Sequence, residues 1–319
     1  YYLGESFYNR YLPDVVKEAL SCGIAYKSEG AVVVNLDKFN LPLFLIQKSD
    51  SSYLYTTTEL ATLKYRISRF RPQKILYVVG NEQSLHFQQI FKTAQLLGYN
   101  RNLELYHIKF GLIQGKDRKK FSSRGGKTVF LESVIDEAVE KALAIVKKKN
   151  PKLSLREKKR IAEIVGIGAL KYNDLSQNRL TDIRFDWDKM LNFEGNSAPY
   201  LQYSFARLQS ILRKAKFKKA NLPPNDLKKY NFSKEEILLL KHLFCFNETL
   251  EEISKNFFPN QLADYLYQLA ERINNFYEKV PVLKSKDQEQ RIRLSLIFLA
   301  AETLKTGLNL LGIEAPEKM

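Results

Sequence analysis

The chain has 319 residues, enough for two domains with separate cores, since a single core rarely grows past about 250–300 residues. Lys and Arg outnumber Asp and Glu by 51 to 35, a formal charge of +16, and both parts share the excess: 23 against 14 in residues 1–150 and 28 against 21 in the remainder, which favours a polyanionic partner such as nucleic acid. Two distant cysteines, Cys22 and Cys245, and three scattered histidines give no basis for a disulfide framework or a metal centre and fit a reducing compartment, while Glu302 and Lys305 interrupt the longest apolar run (294–312) and exclude a membrane-spanning helix there.

The first residues, YYLGESFYNRYL, are helix-like from the outset, which suggests that the natural N-terminus lies elsewhere. AVVVNL (31–36) and LPLFLI (41–46) are predicted strands, and residues 51–70 pass from a short extended piece into a helix. KILYVVG (74–80), bounded by Gly80 and Asn81, fits a buried parallel strand. A helix over 84–98 follows, with Ser84 as N-cap and Gly98 as its stop, and LELYHIKFG (103–111) is the next strand. This alternation predicts an α/β layer architecture, in which ligands bind beyond the carboxyl ends of the strands, here 80–86 and 111–126.

The segment KKFSSRGGKTV (119–129) places four cationic side chains and two glycines on a loop between strand-like and helix-like runs. Such a loop suits a polyphosphate gripped while it reacts, and an ordinary solvated loop of a basic protein has the same composition, so the context decides. From residue 130 onward the pattern is helical, with the charge run IVKKKNPKLSLREKKR (145–160) as the expected domain boundary. In the last helix Leu294, Ile297, Phe298, Ala301, Leu304, Leu308 and Leu311 form one apolar stripe ended by Gly312, so a helical bundle is expected.

Six segments, YLYTTTELATLKYR, YVVGNEQSLHF, FGLIQGKDRKKFSSRGG, ALKYNDL, FDWDKMLNFEGNSAPYLQYSFAR and GLNLLGIEAPEKM, resemble arginyl-tRNA synthetase, a class I aminoacyl-tRNA synthetase, in order along the whole chain. The resemblance implies part of a Rossmann-like catalytic domain over 1–150 and an all-α anticodon-binding bundle over 151–319. It also implies that the family's HIGH motif, the first half of its nucleotide-binding sheet and an amino-terminal tRNA-contacting domain belong before residue 1, that PEKM is a natural carboxyl end, and that the chain alone is inactive.

The implied reaction is ATP-dependent activation of L-arginine and its transfer to tRNA(Arg), with Mg2+ accompanying ATP as substrate and no protein-bound metal or organic cofactor. A cytoplasmic monomer without membrane association is expected. Lys120, Phe121, Ser122, Ser123 and Arg124 stand where the family has its KMSK-type loop, whose cations stabilise charge developing on the α-phosphate and pyrophosphate; Arg124 replaces a usual lysine. Tyr55, Glu59 and Gln83 match the arginine-recognising positions, Glu59 standing where an aspartate is usual. His86 resembles a residue near the nucleotide, and Gly111, Leu112 and Ile113 the backbone that receives adenine.

Tyr200, Tyr203 and Arg207, at spacings of three and four, match anticodon-binding positions, as do Tyr277 and Met319; aromatic rings stack on bases while cations hold phosphates. Trp187 and His107 are read as packing residues. A non-catalytic tRNA-binding fragment or paralogue is the alternative. A cysteinyl enzyme would need zinc-ligand cysteines that the sequence lacks.

Overall fold

The structure, a computed structural model, describes residues 1–114, 130–218 and 224–319, and forms two compact units that divide between Gly111 and Leu112. In the first unit a 3-10 turn, Glu5–Tyr11, leads into α1 (Leu12–Ser21). Pro13 occupies the first turn of α1, where its missing N–H would have no helical partner anyway, and Leu12, Val15, Val16 and Ala19 bury one face. β1 (Ala25–Ser28) and β2 (Ala31–Val34) form a hairpin closed by Glu29 and Gly30, whose φ values of 49° and 82° are those of a two-residue primed turn. β1 escaped the sequence reading because AYKS offers no apolar alternation.

β3 (Phe44–Gln47) pairs antiparallel with β2. The hydroxyls of Thr56 and Thr57 donate to the carbonyls of Leu45 and Ile46 and so pin the first turn of α2 (Tyr55–Phe70) to this strand. β4 (Lys74–Gly80), α3 (Ser84–Leu96) and β5 (Glu104–Phe110) make a βαβ unit, its strands paired in parallel from Lys74↔Glu104 to Gly80↔Phe110. The expectation of a fully buried β4 is corrected: Tyr77 is buried, but Leu76 and Val78 on the opposite face are 45% and 67% exposed. Only one face of this ladder is covered among the described residues.

The second unit begins with a short parallel ladder of β6 (Ile113–Gln114) and β7 (Ile183–Arg184). Helices α4 (Leu131–Lys149) and α5 (Leu155–Leu175) form a tight antiparallel hairpin, and the charge run at 145–160 is the turn between them. Ser154 caps α5 in a reciprocal box with Glu157, which stops the chain turning earlier or later. At Gly166 a side chain would lie 2.9 Å from backbone atoms of Ala138 and Val139, so this glycine sets how closely the two helices approach.

After α6 (Trp187–Met190) come α7 (Ala198–Lys214), α8 (Pro224–Lys229), α9 (Lys234–Phe244), α10 (Phe246–Asn256), α11 (Asn260–Lys279) and α12 (Asp287–Leu310). Residues of α7, α9, α11 and α12 share one core, including Leu201, Phe205, Leu239, Leu266 and Phe276. Leu294, Ile297, Ala301, Leu304, Leu308 and Leu311 are buried as their spacing predicts; Phe298 is only partly so. Gly312, at φ 69°, ends the last helix turn. Within this apolar setting Glu236 is fully buried, receiving Arg293 Nε (3.0 Å), the Tyr230 hydroxyl (2.6 Å) and the Ser233 N–H (2.6 Å).

Candidate functional site

In the first unit α2 presents Tyr55 and Glu59 one turn apart. Tyr55 is 72% exposed and lines a cavity of about 600 Å³ with Glu5, Asn9, Lys48 and Thr58. Glu59 is half-buried. Its carboxyl is pushed above the usual range by burial, a shift opposed by the nearby Arg66 charge and reinforced by Glu5. Glu5 lines the open cavity with the Tyr55 phenol and Lys48, and Glu59 stands one helical turn from Tyr55, so acids flank the phenol in a way that suits a cation with several N–H donors. Glu5 was missed in the sequence, where a single acid in GESF carries no periodic or spacing signal.

Gln83 is exposed in the short 3-10 turn, Asn81–Gln83, that follows β4, and His86 lies on the first turn of α3, its ring edge-on to Phe87 at 5.4 Å. Burial lowers the His86 pKa, which favours the neutral ring. Among the described residues no hydrogen bond or ion pair joins Gln83 or His86 to Tyr55 or Glu59. His107 is a packing group as read: its Nε2 lies 3.0 Å from the Val79 carbonyl oxygen and its ring 4.7 Å from Phe87.

Gly111 closes the first unit, while Leu112 and Ile113 open the second. Leu112 is already engaged on both sides: its N–H donates to Asp182 (2.8 Å) and its carbonyl accepts from the Ile183 N–H (2.8 Å). Gln114 accepts from Phe185, so Ile113, lying between two residues that bond β7, turns its own N–H and C=O to the other edge. Lys120, Phe121, Ser122, Ser123 and Arg124 lie outside the described residues.

In the second unit the loop NFEGNS sets the start of α7. Ser197 caps the helix by accepting from the Tyr200 N–H, its hydroxyl donates to the Asn192 carbonyl, and Pro199 fits the first turn. Tyr200 and Arg207 then meet α11: Asn274 donates to the Tyr200 hydroxyl (2.7 Å) and accepts from Arg207 (3.5 Å), whose guanidinium lies 4.4 Å over the Tyr277 ring. Tyr267 adds a ring 5.7 Å from Tyr200. Three predicted residues are thus brought together, with Asn274 and Tyr267 as members that no helical stripe on α7 alone could reveal.

Tyr203 faces a different way. It lines a cavity of about 330 Å³ with Met319, Phe193, Val146, Lys149 and Asn150, in which Lys149 Nζ lies 4.6 Å over the Phe193 ring. Met319 reaches this cavity because the tail is tied down: Gln202 Nε2 donates to the carbonyls of Ile164 (3.2 Å) and Glu314 (2.8 Å), Arg213 to Glu317 (3.1 Å), and Lys171 to Gly312. Phe193, an aromatic set among Asn, Gly and Ser, carried a usable signal that was overlooked. Trp187 packs against Phe185 in the core beneath α5.

Comparison with known proteins follows the same division of labour. Residues 1–187 match the family described as tRNA synthetases class I (R), catalytic domain, and residues 201–319 match the DALR anticodon binding domain. The arginine–tRNA ligases of Chloroflexus aggregans and Fusobacterium nucleatum are each 44% identical over all of this chain and 55% of their own lengths. Arginyl-tRNA synthetase from Plasmodium falciparum superposes with a TM-score of 0.87 at 27% identity over the whole chain and 54% of its own; that of Thermus thermophilus gives 0.84 at 27% identity over 97% of this chain and 58% of its own. The chain thus spans about half the length of the curated relatives it matches. No helix among the described residues is long and apolar enough to cross a membrane.

Proposed function

The chain belongs to the class I tRNA synthetase family for arginine, and from that premise we propose that it serves ATP-dependent attachment of L-arginine to tRNA(Arg). The observation that carries the amino-acid assignment is the half-buried Glu59 under the field of Glu5, beside the cavity that Tyr55 and Glu5 line. Two carboxylates match the planar donor fork of a guanidinium, which a neutral side chain could not reward. Gln83 supplies an amide toward the same substrate. His86, in its neutral form, Gly111, Leu112 and Ile113 serve ATP, Ile113 turning toward adenine the backbone N–H and C=O that it does not spend on β7. Lys120, Ser122, Ser123 and Arg124 supply the charge and hydroxyls for the departing pyrophosphate. Mg2+ arrives with ATP as part of that substrate.

Residues 1–150 serve this chemistry, apart from the end of α4, which lines the tRNA-facing cavity together with residues 151–319, in a cytoplasmic monomer. Tyr200, Arg207 and Tyr277 form one aromatic and cationic face for unstacked anticodon bases, and Tyr203 and Met319 line a second receptor one helical turn away. Taken by itself, the 319-residue chain is proposed to bind tRNA without charging it, a reading favoured by the uncovered face of the β4–β5 ladder, since parallel sheets in α/β proteins are covered on both faces.

The arginine assignment is tested by calorimetry. Glu59→Gln is expected to weaken arginine binding by about 30-fold, about 2 kcal/mol, at the low end for a desolvated charge pair because Glu5 remains. Only the ionised carboxyl attracts a guanidinium, and the Glu59 pKa is raised, so affinity declines as pH falls through a range above that of an ordinary glutamate. Glu5→Gln removes a like charge and moves that decline to lower pH. Equal affinity for arginine at all these pH values would sink the assignment.

For the RNA face, Arg207→Ala is expected to reduce affinity for an anticodon stem-loop about tenfold, one stacking contact of about 1.4 kcal/mol, with ATP binding unaffected. Unchanged RNA affinity at fixed salt counts against it.

A further inference from the structure

The turn between α4 and α5 carries more charge than its fold requires. Of the fourteen residues 147–160, eight are cationic and one, Glu157, is acidic. That single carboxylate is committed to the Ser154 cap. Lys158 donates to the Pro151 carbonyl, Lys149 covers Phe193, and Arg160 lies 3.8 Å from Glu314. The other five, Lys147, Lys148, Lys152, Arg156 and Lys159, are exposed and have no acidic partner within ion-pair distance among the described residues.

Helix stability accounts for part of this set and argues against the rest. Cations in the last turn of α4 complement the negative end of its dipole. Arg156 and Lys159 sit in the first turns of α5, where the dipole is positive and acids would be favoured, so they oppose the helix they belong to. Local structure therefore does not call for them, whereas an anion shared by both helix ends does. Lys149 and Asn150 belong to this turn and are also walls of the cavity lined by Phe193, Tyr203 and Met319. Cationic turn and aromatic receptor are continuous.

We propose that the α4–α5 turn is a phosphate-gripping surface for the backbone of a folded RNA, adjoining the Phe193–Tyr203–Met319 cavity already assigned to a base; that assignment, and the identity of the RNA as tRNA, rest on the function proposed above. Backbone cations beside a stacking receptor are how proteins hold RNA loops, the phosphate contacts setting position and the base contacts setting preference. Leu155 is the exposed large apolar residue of the turn, and a single exposed leucine is ordinary on a protein surface and too little for lipid insertion.

The test titrates the full 319-residue chain with anticodon stem-loops of several loop sequences across a range of salt. Lys147→Ala/Lys148→Ala/Lys152→Ala is expected to lower the slope of log affinity against log salt by about 2–3, with the same fold-loss for every loop. Arg156→Ala/Lys159→Ala is expected to lose affinity while its unfolding temperature rises, because repulsion at the α5 start is relieved. An unchanged slope, a loss confined to one loop sequence, or an unfolding temperature that drops in step with affinity overturns the proposal. So does a wild-type chain that binds no stem-loop, or variants that lose only binding to anionic vesicles. Loop-sequence preference separates the two readings: preference kept with an unchanged slope removes the turn alone, and preference absent with a reduced slope removes the anticodon assignment alone.

Discussion

Glu236→Ala is expected to destabilise the helical unit by about 3–5 kcal/mol, the range for breaking a buried ion pair from one side. Glu236 has no exposed surface, and its loss takes from Arg293 its buried acidic partner, while the Tyr230 hydroxyl, the Pro281 carbonyl, the Ser285 hydroxyl and Glu289 at 3.3 Å still accept from the guanidinium, which keeps the effect near the lower bound. At about 2–4 °C per kcal/mol for a domain of this size, the unfolding midpoint falls by at least about 6 °C. Burial alone would push the Glu236 carboxyl up, but hydrogen bonds from Tyr230, Ser233 and Arg293 outweigh it and hold the group below the usual glutamate range.

The sign of the pH effect follows. A depressed folded-state pKa contributes stability that is present above the unfolded value and is lost as pH falls through the folded one. Glu236→Gln should therefore flatten the acid limb of the stability curve and lower its plateau. A loss under about 1 kcal/mol in urea titrations, or an acid limb identical to wild type, would show that the pair is not holding α9 to α12.

The second large effect is expected at Gly166. Alanine is the better helix former by about 1 kcal/mol, so propensity alone predicts a gain. Its methyl would meet the Ala138 carbonyl and the Val139 nitrogen at 2.9 Å, and backbone cannot step aside as a side chain can. The contrast is Gly307, where the obstacle is the flexible end of Leu266. Gly166→Ala is expected to lose about 3 kcal/mol net, the top of the usual range for overpacking. Because α4 supplies Val146 and Lys149 to the cavity with Tyr203, the same substitution should also weaken stem-loop binding. A stabilised Gly166→Ala protein would mean that the helices part freely.

What could be read from the sequence was what lies along one element. The stripe of α12 from Leu294 to Leu308 is a period of 3.6 written in apolar residues, and all of it but the half-buried Phe298 is buried as written. β4 and β5 were visible as short β-rich runs, and the alternation predicted their α/β setting. Which faces find a neighbour was not visible: KILYVVG has the composition of a strand buried on both faces, and Leu76 and Val78 are open. The same holds for the sites. Tyr200, Tyr203 and Arg207 look like one stripe, yet Asn274 and Tyr277 gather the first and last of them, while Phe193, Lys149 and Met319 surround the middle one. Glu5 became a candidate only when the fold brought it within the field of Glu59 from more than fifty residues away.

The half-covered β4–β5 ladder has a consequence for how the molecule behaves in solution. Among the described residues β4 has β5 as its one neighbour, so its far edge presents backbone donors and acceptors beside a strip of aliphatic surface, a template on which another copy can lay a strand. What opposes this is long-range repulsion between like molecules of charge +16. Repulsion of that kind is screened by salt and edge pairing is not, so self-association is expected to rise with ionic strength.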